Sequence, residues 1–340
     1  MKLTTGAKFA ILLVVLALAF FGIRKFGPGL ATTTTTTASV STPADTARTY
    51  SGANVQAVAN VVNTTTPEGF GKKFTYFPDQ PENGSLRGVI EFGASGFNAF
   101  AVEIDKARRW KLVTKAFDES HALEGEASDA IVVSQIKKYI DDLKAHGVSG
   151  KNIQFVMSSG AKMNPNTYKV KATLSHLGYV VNEVSARQEG ELSLLATQPQ
   201  SYSDKSFVVD IGSGNTKITY KKNGQLISQE SFGAKYAEKG ISDATVTADI
   251  TAKIANVPQE LRGTCFIIGG VPFKLANEVR EGQERYTTLA APEKYDGKGD
   301  KKRISGLNIY KAIIGSSGTK TVVFDWDSNF TIGYLISKVK

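Results

Sequence analysis

Two stretches of this chain share one plan. In Val89-Ile90-Glu91-Phe92-Gly93-Ala94-Ser95-Gly96-Phe97 an apolar run carries a carboxylate, turns through small residues and resumes. Val208-Val209-Asp210-Ile211-Gly212-Ser213-Gly214-Asn215-Thr216-Lys217-Ile218 does the same. One such turn alone is an ordinary β-hairpin, where glycine and asparagine are common. Two of them, each opening a similar series of segments, point to an internal duplication. The first series has strand patterns over 89–92, 97–104 and 110–116, a helical pattern over 127–146, a strand over 153–157, a helix over 168–177, a strand over 180–184 and a helix over 188–197. The second has strands over 206–211, 217–221 and 224–232, a helix over 246–254, a strand over 264–268, helices over 273–279 and 307–314, and a late strand over 321–325. Such alternation implies an α/β fold with helices laid on sheets. The chain divides accordingly into a first lobe, 86–204, and a second, 205–340.

Ahead of the lobes, residues 9–23 are apolar without a break, with Lys8 before them and Arg24 and Lys25 after. The run is short for a spanning helix, which needs roughly 17 to 25 residues, but flanking lysine and arginine stems extend it by snorkelling. A cleavable signal peptide is the rival reading. The basic pair after the run and the lack of a clear small-x-small site favour a retained anchor over 1–26. The slight positive bias on the N side directs the body out of the cytoplasm, to the periplasm or cell surface; a cytoplasmic-facing body is the alternative. Residues 27–85 begin with a threonine-rich tether that includes Thr32 to Thr37. Within them only 70–77 has a strand-like pattern.

Charge and side-chain chemistry narrow the function. The formal net charge is +9, and removing Lys2, Lys8, Arg24 and Lys25 around the apolar run leaves +5. With no arginine-rich block, nucleic acid is not an expected partner. A single cysteine, Cys265, excludes an internal disulfide and a multi-cysteine zinc site, and it reads as a buried small residue. His121, His146 and His176 lack ligand spacing. Trp110 and Trp326 read as core or strand-edge aromatics, and 295–303 as a glycine- and lysine-rich surface loop.

In each turn, small residues let backbone N–H groups approach an anion and make a phosphate nest. Gly93, Ala94, Ser95 and Gly96 form one, and Gly212, Ser213, Gly214, Asn215 and Thr216 the other. Carboxylates at the strand ends, Glu91 and Asp210, can hold a divalent ion against phosphate. The paired turns resemble the two phosphate loops of the superfamily that joins actin, the heat-shock chaperone ATPases and the sugar kinases. Within it the chain is most similar to the exopolyphosphatase/guanosine-pentaphosphate phosphatase (Ppx/GppA) family, with the apyrases, the nucleoside triphosphate diphosphohydrolases, next. Three further segments carry the likeness: Ser158-Ser159-Gly160-Ala161-Lys162-Met163, Val184-Ser185-Ala186-Arg187-Gln188-Glu189-Gly190-Glu191-Leu192, and Ile267-Ile268-Gly269-Gly270.

The resemblance implies a duplicated, ribonuclease-H-like, bilobed actin-like fold. It also implies a phosphoanhydride hydrolase acting on nucleotide or polyphosphate, with Glu189 as general base, Mg2+ held by Asp210 and Glu91, Lys162 in place of a phosphate-binding arginine, and Gly269 and Gly270 at the nucleotide or polyphosphate cleft. Taken alone, Glu189 reads as a solvated acid at a helix N-terminus. The departures are Glu91 for aspartate, Asn215 for serine, Lys162 for arginine and Lys217 for glutamate or glutamine; with Glu189, Lys162 and Lys217 are the candidate catalytic residues, Lys162 keeping the arginine's charge and Lys217 assisting by its charge. These departures leave a second reading: a non-hydrolysing nucleotide- or polyphosphate-binding protein, or a tethered actin-like scaffold. A homodimer is compatible with either.

Overall fold

The computed structural model describes residues 69–93, 96–117, 129–163 and 165–340. The anchor segment 1–26 and most of the tether lie outside the described residues, as do Ala94 and Ser95. Among the described residues, no helix is long and apolar enough to cross a membrane.

The first series forms β1 (Ser85–Phe92), β2 (Phe97–Ile104), β3 (Trp110–Phe117), α1 (Asp129–Ala145), β4 (Ile153–Met157), α2 (Pro165–His176), β5 (Val181–Glu183) and α3 (Ala186–Thr197). The second forms β6 (Ser206–Ile211), β7 (Asn215–Lys222), β8 (Gln225–Phe232), α4 (Asp243–Ile254), β9 (Thr264–Ile268), α5 (Gly270–Val279), β10 (Tyr286–Thr288), α6 (Lys301–Ser317), β11 (Thr321–Asp325) and α7 (Phe330–Ser337). The first sheet runs β3-β2-β1-β4-β5 and the second β10-β11-β9-β6-β7-β8. In both, three antiparallel strands lead into two parallel ones. The second sheet therefore repeats the first, with β10 added at its edge.

The outer face of the first sheet packs Ile90, Phe92 and Phe155 against Ile136 and Ile140 of α1 and Leu174 of α2. On the second sheet, Phe207, Val209 and Ile267 meet Ile250 of α4, Leu275 of α5 and Tyr310 of α6. Two helices fill the centre. Phe330, Ile332 and Leu335 of α7 pack on Val89, Phe100 and Val102 of the first sheet. Leu194 of α3 meets Val208 and Phe266 of the second. Each central helix thus rests on the sheet of the opposite lobe. Full burial of each such side chain contributes about 1.5–3 kcal/mol.

Three local readings of the sequence differ from the structure. Residues 72–84 form no strand. Phe74 instead packs edge-on against Phe266 and Tyr286, so aromatic burial rather than strand pairing explains the apolar pattern there. The region 295–303 is not simply a surface loop: Tyr295 is in the core, and Lys301 begins α6. Arg303 is buried because its guanidinium pairs with Glu278 at 2.7 Å and Asp296 at 3.3 Å. The strand β10 and the helix α7 lie where no pattern was read.

Candidate functional site

The duplicated hairpins place four side chains by strand register. Glu91 on β1 is opposite Asn98 on β2, and Asp210 on β6 is opposite Lys217 on β7. Directly opposed residues of antiparallel strands share a face, so each carboxylate meets a donor from its own hairpin. Asn98 Nδ2 donates to Glu91 Oε2 at 2.9 Å, and Lys217 Nζ lies 3.6 Å from Asp210 Oδ2. The turns close alike: Gly93 N donates to Gly96 O at 2.8 Å, and Gly212 N to Asn215 O at 3.0 Å.

Glu189 comes from the first turn of α3. Ser185 caps that helix, its side chain accepting from the Gln188 amide while Gln188 reaches back to the Ser185 N–H. The helix turns Glu189 inward, where it is fully buried rather than a solvated helix-end acid. Its Oε1 accepts from the Ser159 amide, and its Oε2 pairs with the Lys217 ammonium. One helical turn on, Ser193 Oγ donates to Asp210 Oδ2 at 3.3 Å. Asn215 Nδ2 donates to Ser159 Oγ at 2.9 Å and to Glu230 Oε1 at 2.7 Å, tying the second turn to the 158–160 segment.

These groups line a cavity of about 400 Å3 that both lobes enclose. Glu91, Gly93, Gly96, Glu189, Asp210, Gly212, Ser213, Gly214, Asn215, Lys217, Gly269 and Gly270 all face it, so most of the expected site residues converge. Gly269 is required on two counts. Its φ is +113°, and a Cβ there would stand 2.3 Å from Ile211 O, so only glycine lets the second loop lie against β9.

Two expected residues are elsewhere. Lys162 pairs with Glu183 at 3.3 Å and is not in the cavity wall, because that carboxylate lies within its reach. Thr216 alternates to the other face from Lys217, where its hydroxyl donates to Phe232 O at 2.7 Å. Sequence reasoning missed Asn98, which the register equivalence with Lys217 could have identified, and Asn329, a helix N-cap that donates to Glu91 Oε2 at 3.2 Å. It also missed the apolar wall formed with Phe273 and Trp326, for which no local pattern existed. Trp326 is a buried aromatic as expected, and it faces the cavity as well.

Electrostatics set the protonation states. Burial pushes Glu91 up to about 7; the Asn98 and Asn329 amides oppose this, and the Glu189 and Asp210 charges reinforce it. Burial alone would lower Lys217, but Asp210, Glu189 and Glu91 more than offset it, and its pKa is raised. The ammonium therefore stays charged.

This donor set does not fit the Mg2+ expected on Asp210 and Glu91. Both Asn amides hold Glu91 Oε2, and the Lys217 ammonium stands against Asp210 and Glu189. Among the described residues, no group of three or more carboxylate, imidazole or thiol side chains is arranged to hold a metal ion.

The fold matches solved structures of the Ppx/GppA group. The Aquifex aeolicus PPX-GPPA enzyme is 14% identical with a TM-score of 0.54, the match covering 75% of this chain and 100% of that one. An exopolyphosphatase from Cytophaga hutchinsonii is 13% identical with a TM-score of 0.55, covering 75% and 99%. No protein-family model matches the chain, nor does any curated protein. The likeness establishes a duplicated α/β fold shared with those structures.

Proposed function

We propose that a chain with this fold binds the phosphate chain of a nucleotide or of inorganic polyphosphate between its two glycine turns and hydrolyses the terminal phosphoanhydride. The observation that carries this reading is Glu189, a buried carboxylate in the wall of the cavity that both turns line. A carboxylate has about four acceptor positions. The Ser159 amide and the Lys217 ammonium engage one oxygen each, so Glu189 retains acceptor capacity for a water proton.

In the step, the water oxygen bonds to the terminal phosphorus while the bridging P–O bond breaks. The electron pair of that bond leaves with the shortened phosphate chain, and the water proton passes to a Glu189 oxygen. Phosphoryl transfer asks for positioning and charge stabilisation more than for a strong base. Backbone N–H groups of the turns are suited to supply that stabilisation. The N-terminal apolar segment would tether this activity to a membrane, with the cleft outside the cytoplasm.

One observation favours a second reading, binding without hydrolysis. The Lys217 ammonium already engages one Glu189 oxygen, leaving less of the carboxylate open to water. Phosphate release by the full chain separates the two, with ATP, ADP, guanosine pentaphosphate and polyphosphate as substrates. Release from any of them that Glu189→Gln abolishes supports hydrolysis. If wild type and variant release none while wild type still binds tripolyphosphate, the cleft is a binding site only.

A further inference from the structure

We infer that the Lys217 ammonium is the built-in counter-charge of the cleft and stands where a divalent cation would otherwise be bound, so that phosphate is taken up without metal. The inference deepens the phosphate-cleft reading and rests on it.

Three observations place this charge. Nζ contacts two carboxylates from different elements, Glu189 Oε2 on α3 and Asp210 Oδ2 on β6. It lies against the second turn, since a methyl group built on Gly212 would stand 3.5 Å from Nζ. Lys217 also faces the same cavity as both turns while its side chain is only 6% exposed. A divalent ion against those two oxygens would stand beside a fixed charge of its own sign, in surroundings that screen poorly. The two hairpins differ in the charge set opposite the carboxylate. In the first, the residue opposite the carboxylate is the neutral Asn98; in the second it is Lys217. The ammonium offsets carboxylate charge that would otherwise repel an incoming phosphate, and it retains N–H donors for a phosphate oxygen.

The test uses the full chain and two probes. In the first arm, Mn2+ alone is titrated and bound ion is read by electron paramagnetic resonance. Wild type is expected to take up no stoichiometric Mn2+, whereas Lys217→Glu takes up one equivalent. One equivalent bound by wild type and lost in Asp210→Asn would overturn the inference. In the second arm, tripolyphosphate binding is measured by calorimetry in EDTA. Wild type is expected to bind, and Lys217→Gln to bind at least roughly tenfold more weakly, the scale of one charge-assisted hydrogen bond. Lys217→Arg, which keeps the charge, restores much of the binding. Circular dichroism establishes that each variant is folded, and the wild-type measurements need no variant. Binding by wild type that appears only when Mg2+ is added overturns the inference and leaves the phosphate cleft standing. No tripolyphosphate binding with or without Mg2+ removes the phosphate reading, and the inference with it.

Discussion

Glu91 is an acid that folding drives toward its neutral form. Its folded pKa of about 7 lies above the ordinary value of 4.5. A raised acid pKa means that the folded state holds the proton more tightly than the unfolded state. The stability from this group is therefore full below pH 4.5 and is lost as pH rises to about 7. Glu91→Gln keeps an acceptor for Asn98 and Asn329 without the charge. We expect equal thermal midpoints for the variant and wild type at pH 4. At pH 8 the variant should be more stable by about 1–3 kcal/mol. A variant less stable than wild type at pH 8 would contradict the assignment. At Glu189 the expectation concerns chemistry: Glu189→Gln should lower phosphate release by about 10²–10⁴-fold, the usual worth of a positioned base, while tripolyphosphate still binds in calorimetry. Glu91, Glu189, Asp210 and Lys217 were all readable as candidates, because each stands in a short stretch whose order resembles a known pattern. What each one touches was not, since the Lys217–Glu189 pair joins residues of separate elements.

At the scale of elements, α7 shows how a short helix is held. Asn329 Oδ1 accepts from the Thr331 amide at 2.8 Å and from the Thr331 hydroxyl at 2.7 Å, while its Nδ2 reaches Glu91. Removing an N-cap of this kind costs about 0.5–2 kcal/mol. Asn329→Ala should lose about that much in urea unfolding, and Asn329→Asp, which keeps the cap acceptor, less of it below pH 6, where Glu91 is neutral. The same helix crosses α3 at Gly333, where a Cβ would stand 2.0 Å from Leu192 O. The obstacle is backbone, which cannot swing aside. Gly333→Ala is expected to destabilise by about 1–3 kcal/mol or more, the cost of overpacking, measured as a shift in urea midpoint. An unchanged midpoint would mean that the two helices are free to separate. Helix α7 went unread because its buried residues surround the whole helix, leaving no polar face to produce a period. Strand β10 has only three residues, too few to show alternation. Helix α1 was legible for the opposite reason, because Val132, Ile136, Tyr139, Ile140 and Leu143 bury one face of it.

For the whole molecule, the question is what couples the two lobes. Arg285 forms two 3.0 Å hydrogen bonds with Asp325 on the second sheet, and its guanidinium lies 4.2 Å from the ring centre of Trp110 on the first. Lys115 of β3 donates to Trp326 O at 3.2 Å. Asp325 is fully buried, so Arg285→Ala would strand its charge. Breaking a buried pair by removing one partner costs about 3–5 kcal/mol. We expect a lowered urea midpoint of that size, with Arg285→Lys recovering part of it; a loss under 1 kcal/mol would show that the link is dispensable.

The duplication, the α/β class and the positions of both glycine turns were determined by sequence alone, because strand period, turn chemistry and repeat order are local properties of the chain. Tertiary structure alone decided that the central helices rest on opposite sheets, that Lys162 leaves the cleft for Glu183, and that Lys217 faces Glu189 and Asp210. Each of these depends on which distant surfaces and charges become neighbours after packing. A side chain's partner is chosen by distance in space, and sequence spacing measures that distance only within an element.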